Sequence, residues 1–218
     1  MANLVLSAQL RFAVALAALP PLQKSTEGHD VSNPTLTHVA RSYGAMVAAW
    51  FGAAWLCAWR SAAHAPVFLT GAVLAGAALV SSVAYLQARR FRRIGPAVPG
   101  GQRARSMRFY WIVNVAQWLL IFGAAAALGA SGHPRWIVAA VILVVGLHFI
   151  PLGRIFADRL HYATGAALVV LACSYPLLSP SGPQDPIGLL GAGIILSASA
   201  IVAVAANAVF ERARQAHG

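Results

Sequence analysis

Long apolar stretches, separated by short polar segments, dominate this chain. Six of them are about as long as a helix needs to be to cross a hydrocarbon core of about 30 Å. Within a bilayer each backbone polar group must find its partner inside the same segment, so we expect these stretches to be helices. They cover residues 43–59, 66–88, 109–130, 136–156, 160–178 and 187–210. The pattern predicts an all-α fold, a polytopic transmembrane bundle of six spans.

The composition points to the same class. Hydrophobic residues make up 59% of the chain and charged residues 10%, whereas a soluble domain carries about a quarter charged residues. The acidic residues all lie outside the six stretches or at their ends; they are Glu27, Asp30, Asp158, Asp185 and Glu211. Transmembrane barrel strands would be alternating segments of about ten residues, and these stretches are longer and uniformly apolar.

The positions of the arginines predict the orientation. The segment 89–108, between the second and third spans, holds seven arginines and is expected to be cytoplasmic by the positive-inside rule. Counting outward from it, the other connections alternate between the two sides. Only Arg60 and Arg135 then fall outside, and both termini are cytoplasmic.

The chain divides into three parts. We predict an N-terminal interfacial or disordered extension at 1–40, a six-helix transmembrane domain at 41–212 and a cytoplasmic tail at 213–218. The apolar start, 4–22, is short and contains Arg11. A cleaved signal there would invert the whole charge pattern, so an interfacial or disordered segment fits better.

Small residues recur at helix-contact spacing along several spans. Examples are Gly44, Ala48 and Gly52, then Gly71 and Ala75, Gly123 and Ala127, and Gly193 and Ser197. Such stripes allow helix backbones to approach closely in a membrane. The sequence leaves open whether they face helices of the same chain or a second subunit. Consecutive spans are expected to pair as three hairpins.

His148 is the histidine deepest within a predicted span. Pro151 follows it and cannot donate a hydrogen bond to the carbonyl of Leu147, so we expect the helix to kink or loosen there. Asn114 and Gln117 lie at similar depth in the third span, with Tyr110 nearby. These five positions, His148, Asn114, Gln117, Tyr110 and Pro151, are predicted to line an inward-facing ligand cleft. The alternative is a hydrogen-bond network that only holds the bundle together.

A charged turn joins the fourth and fifth spans. It contains Arg154, Asp158, Arg159 and His161. We expect an arginine–aspartate pair within the turn to close it. The alternative is that Arg154 and Arg159 bind an anionic lipid headgroup.

Several other functions are disfavoured. The basic residues that give the chain a net charge of +11 are split among short loops, so we expect no nucleic-acid partner. The only lysine, Lys24, lies outside the spans, which excludes a retinal protein. The intramembrane positions offer no second histidine for haem, no metal-ligand set and no nucleophile with its base, so we predict no catalytic residue, no metal and no cofactor. Cys57 and Cys173 are expected to stay unpaired.

The fourth span and the start of the fifth carry a longer motif. Residues 146–156 are Gly-Leu-His-Phe-Ile-Pro-Leu-Gly-Arg-Ile-Phe, and 162–165 are Tyr-Ala-Thr-Gly. This run resembles the G-L-H-F-x-P-L-x-R-x-F motif of an uncharacterised family of small bacterial six-span integral membrane proteins. The resemblance covers the chain from about residue 41 and implies a multi-pass protein of the bacterial inner (cytoplasmic) membrane. It implies no activity.

Three functions remain open. The first is a membrane protein that binds or transports a small molecule through the inward-facing cleft. The alternative is a structural or accessory subunit that packs through its small-residue stripes against a larger membrane partner or a second copy. An enzyme that uses His148 as acid or base ranks last, because no nucleophile or metal accompanies that histidine. Membrane lipids are expected partners in each case.

Overall fold

Six long helices make up the described part of the protein. The computed structural model describes residues 34–94, 100–156, 158–178 and 185–216, and the helices are numbered here in chain order. They are α1 (Pro34–Ala62), α2 (Phe68–Ile94), α3 (Gly100–Ala130), α4 (Ile137–Phe156), α5 (Arg159–Ser174) and α6 (Asp185–Ala216). Short 3₁₀ turns precede α4 and follow α5. The all-α prediction is confirmed, and the apolar segment 4–22 lies outside the described residues.

Within the described residues, five helices are long and apolar enough to cross a bilayer. They are α2 to α6, and their mean hydropathies range from 1.3 to 2.3. The first predicted span lies in α1, which is 29 residues long but begins and ends with polar residues, among them His38, Arg41 and Arg60. Five of the six predicted spans are therefore found as candidate membrane helices, and a crossing by α1 stays a prediction.

The helices pack as two groups that share α6. In the first group α1 lies between α2 and α6, and its core consists of alanines from all three helices, such as Ala49, Ala84 and Ala200. In the second group α4 packs against α5, and their core also takes in Ala192 and Leu196 of α6. The interface between α1 and α6 is more extensive than the one between α5 and α6, although α5 and α6 are consecutive in the chain. The first and last helices therefore form the main interface of the bundle, called the α1–α6 seam.

Glycines set the closest helix approaches. A Cβ at Gly52 of α1 would lie 2.5 Å from Ser197 Oγ of α6, and one at Gly193 would lie 2.6 Å from Leu56 Cγ. Gly146 of α4 and Gly165 of α5 face one another in the same way. These stripes therefore serve contacts within the chain. Gly71 and Gly123 have no atom within 4 Å that a Cβ would meet, so their stripes lie on the outer surface of the bundle.

α3 is the peripheral helix. It packs chiefly against α4, and only 6% of its most apolar stretch is buried. Large side chains such as Ile112, Leu119 and Leu120 are more than half exposed. An apolar surface of this extent is what a lipid-facing helix presents, and it is also what a membrane partner would cover.

One end of the bundle collects most of the arginines. Arg92 Nη1 of α2 donates to Tyr43 Oη of α1 at 3.0 Å, and Arg90 Nη1 of α2 lies 3.8 Å from Glu211 Oε2 of α6. These contacts bring together the start of α1 and the ends of α2 and α6. We call this the basic end; the arginines whose side chains are described there are Arg41, Arg89, Arg90, Arg92, Arg93, Arg108, Arg154, Arg159, Arg212 and Arg214. Arg60 and Arg135 lie at the opposite end.

Candidate functional site

A buried ion pair joins α1 to the connection between α4 and α5. Arg41 Nη2 donates to Asp158 Oδ1 at 3.0 Å, and Arg41 Nε donates to Asp158 Oδ2 at 3.2 Å. Asp158 is 2% exposed and Arg41 20% exposed. The prediction that Asp158 pairs with an arginine of its own turn is therefore wrong. Asp158 pairs with Arg41 of α1, and the arginines of the turn, Arg154 and Arg159, are exposed. A planar guanidinium matches a carboxylate in this two-bond geometry.

Asp158 also organises the start of α5. As the N-cap residue, its side chain accepts a hydrogen bond from the backbone N–H of Leu160 at 3.2 Å. The Nδ1 atom of His161 lies 3.4 Å from Asp158 Oδ2. Burial by itself would raise the pKa of the Asp158 carboxyl, but the contacts with His161 and Arg41 outweigh it and hold that pKa well below its usual range. The carboxylate is therefore ionised at neutral pH.

His161 is buried between helices. Its Cε1 and Nε2 atoms are the nearest neighbours of Gly44 on α1, where a Cβ would lie 3.4 Å from both. The rings of Phe149 and Phe156 lie 5.8 and 5.4 Å from its own, centroid to centroid. Glycine at position 44 is what lets the imidazole lie against α1.

A cavity of about 20 Å³ lies next to this ion pair. Its polar walls are Arg41, Asp158, His161 and Ser199, and its apolar walls include Ala45, Ala48, Ala203 and Phe149. Ser199 Oγ of α6 is 2.7 Å from Thr164 Oγ1 of α5, whose hydroxyl donates to the Leu160 carbonyl at 2.9 Å. Polar groups from α1, α5 and α6 therefore meet around one small space.

A second polar network lies nearby, between α1 and α6. His38 Nδ1 is 2.7 Å from Asn207 Oδ1, and Asn207 Nδ2 donates to the His38 carbonyl at 3.1 Å and to Ser42 Oγ at 2.9 Å. Phe91 and Phe210 stack on the His38 ring at 5.1 and 3.9 Å. Because Asn207 Oδ1 can only accept, His38 carries its proton on Nδ1. Asn207 and Ser42 are fully buried, so this network joins the first and last helices.

The residues predicted to line a cleft lie along the seam between α3 and α4. The His148 imidazole is within hydrogen-bonding range of the backbone of Val113 on α3. Its Nδ1 atom is buried and has no hydrogen-bond partner among the described residues. Gln117, one turn after Val113 on the same face, is 8% exposed. α4 stays helical through Pro151.

Asn114 and Tyr110 are linked to each other. Asn114 Nδ2 donates to the backbone carbonyl of Tyr110 at 2.9 Å, and Asn114 Oδ1 accepts no hydrogen bond from the described residues. Tyr110 and Asn114 are both half-buried. Among the described residues, no hydrogen bond joins Tyr110 or Asn114 to His148, so the predicted group does not form a direct network there.

The sequence reasoning missed the pairing of Arg41 with Asp158 and the role of His38. In the described residues, Cys57 and Cys173 are free thiols, and no three His, Cys, Asp or Glu side chains gather as they would around a metal ion. No family model, curated protein or solved structure matches the chain. The likeness to small bacterial six-span proteins stays a prediction.

Proposed function

We propose that this chain is a multi-pass protein of a bacterial inner membrane that crosses the bilayer six times, with its basic end and both termini in the cytosol. The five apolar helices α2 to α6 are compatible with an integral membrane protein. Support for the orientation comes from the distribution of arginine, which leaves only Arg60 and Arg135 at the opposite end among the described residues. α1 would be the sixth span, because it packs along α2 and α6 over its length.

Within that bundle we propose a site that binds or transports a small molecule between α3 and α4. The observation that carries it is the buried Nδ1 atom of His148, which lacks a hydrogen-bond partner in the described part of the chain. A buried polar atom without a partner costs about 1–3 kcal/mol, and a ligand that hydrogen-bonds it would recover that free energy. Because α3 packs chiefly against α4, this seam can widen without opening the rest of the bundle.

The chemistry of the seam favours a neutral, weakly polar ligand. His148 Nδ1, the Gln117 amide and the Asn114 carbonyl oxygen offer hydrogen bonds but no formal charge. Pro151 has no N–H, so the Leu147 carbonyl of the preceding turn is one more acceptor. A cationic ligand would lack a counter-ion here, since the acidic side chains of the described residues lie at the ends of the helices.

Native mass spectrometry of gently solubilised protein tests this site. We expect the wild-type chain to carry a bound small molecule, and His148→Ala and Gln117→Ala to lose it. His133→Ala is the matched control, because His133 is an exposed histidine at the opposite end. If His148→Ala and Gln117→Ala retain the same bound mass as the wild type and His133→Ala, the proposed ligand site is wrong.

An accessory subunit is the second candidate. The observation that favours it is the outer face of α3, whose large apolar side chains are exposed along the helix. A larger membrane protein could cover this face and the stripe of Gly123 and Ala127. The mass of the solubilised complex separates the two proposals, because an accessory subunit should co-purify with its partner in a fixed ratio. A lone monomer that binds a small molecule would contradict it.

A further inference from the structure

We propose that Arg41, Asp158, His161 and Ser199 form a binding site for one buried water molecule, which bridges His161 to Ser199 and completes the junction of α1, α5 and α6. The proposal is independent of the ligand seam between α3 and α4. It rests on the size of the cavity, the charges around it and the directions of the surrounding hydrogen bonds.

The cavity has the size of a single water. Its volume is about 20 Å³, and a water needs at least about 10–15 Å³ and two to four polar partners. Three alanines and Gly44 stand where larger side chains would fill the space. Because four polar side chains line it, the cavity differs from the dry, apolar kind that stays empty.

The charges select a neutral ligand. Arg41 and Asp158 are joined by two hydrogen bonds, so their charges compensate one another within the site. A cation in the cavity would face the Arg41 guanidinium, and an anion would face the Asp158 carboxylate. Either ion would lose its hydration without a free counter-ion, which is costly in a buried site.

The hydrogen-bond directions leave acceptors for the water. Thr164 uses its only hydroxyl proton on the Leu160 carbonyl, so the hydroxyl of Ser199 must donate to Thr164 Oγ1. The Ser199 oxygen is then an acceptor. His161 Nδ1 lies 3.4 Å from Asp158 Oδ2 and has no closer hydrogen-bond partner among the described residues. The tautomer that points its N–H at this carboxylate leaves Nε2 as a second acceptor.

Water supplies what these two atoms lack. It brings two donors, one for Nε2 of His161 and one for Oγ of Ser199, and its own oxygen can accept from the Arg41 guanidinium. The Nε2 edge of His161 lies against Gly44, which is part of the cavity wall. The bridged chain then runs from Arg41 through Asp158, His161 and Ser199 to Thr164 and ties the two helix groups together.

Solid-state NMR of the full chain in lipid bilayers tests the site directly. With ¹⁵N-labelled histidine, we expect His161 to carry a proton on Nδ1 and to receive magnetisation from water at Nε2. The signal that disappears in His161→Gln is assigned to His161 among the seven histidines. A proton on Nε2 would overturn the assignment, as would the lack of water transfer under conditions in which exposed His64 and His133 receive it.

A matched pair of serine variants separates the bound water from bulk solvent. Ser199→Ala removes one of the two acceptors, so the rate of water transfer to His161 should fall by about twofold or more. Ser82→Ala is the control, because Ser82 is exposed and, within the described residues, its hydroxyl donates to the Ala78 carbonyl of its own helix. Equal transfer in Ser199→Ala and the wild type would contradict the bridge. Should Ser199→Ala fail to fold, the wild-type tautomer and water transfer decide alone.

Discussion

Asp158 is the residue on which the polar contacts of the basic end converge. It accepts hydrogen bonds from Arg41 and from the Leu160 N–H, and it lies beside His161. In an apolar bundle with few charges, one fully buried carboxylate matters more than many surface arginines. A buried pair need not stabilise a fold more than apolar residues would, but removing one member leaves the other charge without compensation.

We therefore predict that Asp158→Asn lowers the free energy of unfolding by about 3 kcal/mol, at the low end for a broken buried pair because Arg41 is partly exposed. Unfolding in mixed micelles measures the change. Glu211→Gln is the control, since it breaks the exposed pair of Arg90 and Glu211 at 3.8 Å and should cost less than about 1 kcal/mol. Equal losses in the two variants would show that the Asp158 pair has no special role.

The same pair predicts a pH dependence. Arg41 from α1 and His161 from α5 face the carboxylate, and its pKa in the folded protein lies below the unfolded value of about 4. Its contribution is thus present above pH 4 and is lost as the pH falls towards the folded pKa. The stability deficit of Asp158→Asn should be at least as large at pH 5 as at pH 8 and should shrink below pH 4. A deficit that disappears between pH 8 and 5 would refute this.

At the scale of helices, close backbone contact holds α1 against α6. The contact consists of Gly52 against Ser197 and Gly193 against Leu56, with alanines on either side. Association of helices in a membrane lacks a hydrophobic drive and depends on close packing of this kind. The hydrogen bonds of Asn207 with His38 and Ser42 reinforce the same seam at the basic end.

Gly52→Ala should therefore destabilise the bundle by about 1–3 kcal/mol, because the new Cβ would lie 2.9 Å from the backbone nitrogen of Ser197 and the helices must separate. Gly76→Ala on α2 is the matched control. No atom lies within 4 Å of its Cβ position, so its stability should stay within about 1 kcal/mol of the wild type. Thermal unfolding in detergent compares the two. A Gly52→Ala protein as stable as Gly76→Ala would mean that α1 and α6 do not pack this closely.

The helices could be predicted from the sequence, but their full lengths could not. Apolar runs predicted spans at 43–59 and 187–210, whereas α1 covers Pro34–Ala62 and α6 covers Asp185–Ala216. Both helices continue beyond the apolar stretch into the basic end, where one face packs and the other bears charge. Hydropathy alone marks the part of a helix that lipid would surround and misses these extensions.

The site was harder to predict than the fold. Arg41 and Asp158 are 117 residues apart, and His38 and Asn207 are 169 apart. A single sequence shows which polar residues lie near the same membrane face. It cannot show which helices are neighbours, so Asp158 was assigned a partner in its own turn. The packing of α1 beside α5 and α6 decides these pairs.

At the scale of the whole molecule, the two ends of the bundle differ in charge. Arginines and the buried polar networks gather at one end, whereas Trp59, Arg60 and Arg135 lie at the other. This asymmetry is the basis for placing the basic end in the cytosol and for counting α1 as a sixth span. Both the ligand seam and the water site lie nearer the basic end, so their access from the cytosol depends on this orientation.

Labelling of single cysteines with a membrane-impermeant maleimide tests that orientation most directly. In a chain without Cys57 and Cys173, new cysteines at Val67 and His133 sample the connections after α1 and after α3, and cysteines at Arg92 and Arg154 sample the basic end. We predict that the first two react in intact cells stripped of their outer membrane and that the second two react only after lysis. Reaction of the Arg154→Cys chain in intact cells, or protection of the Val67→Cys chain, would contradict the account.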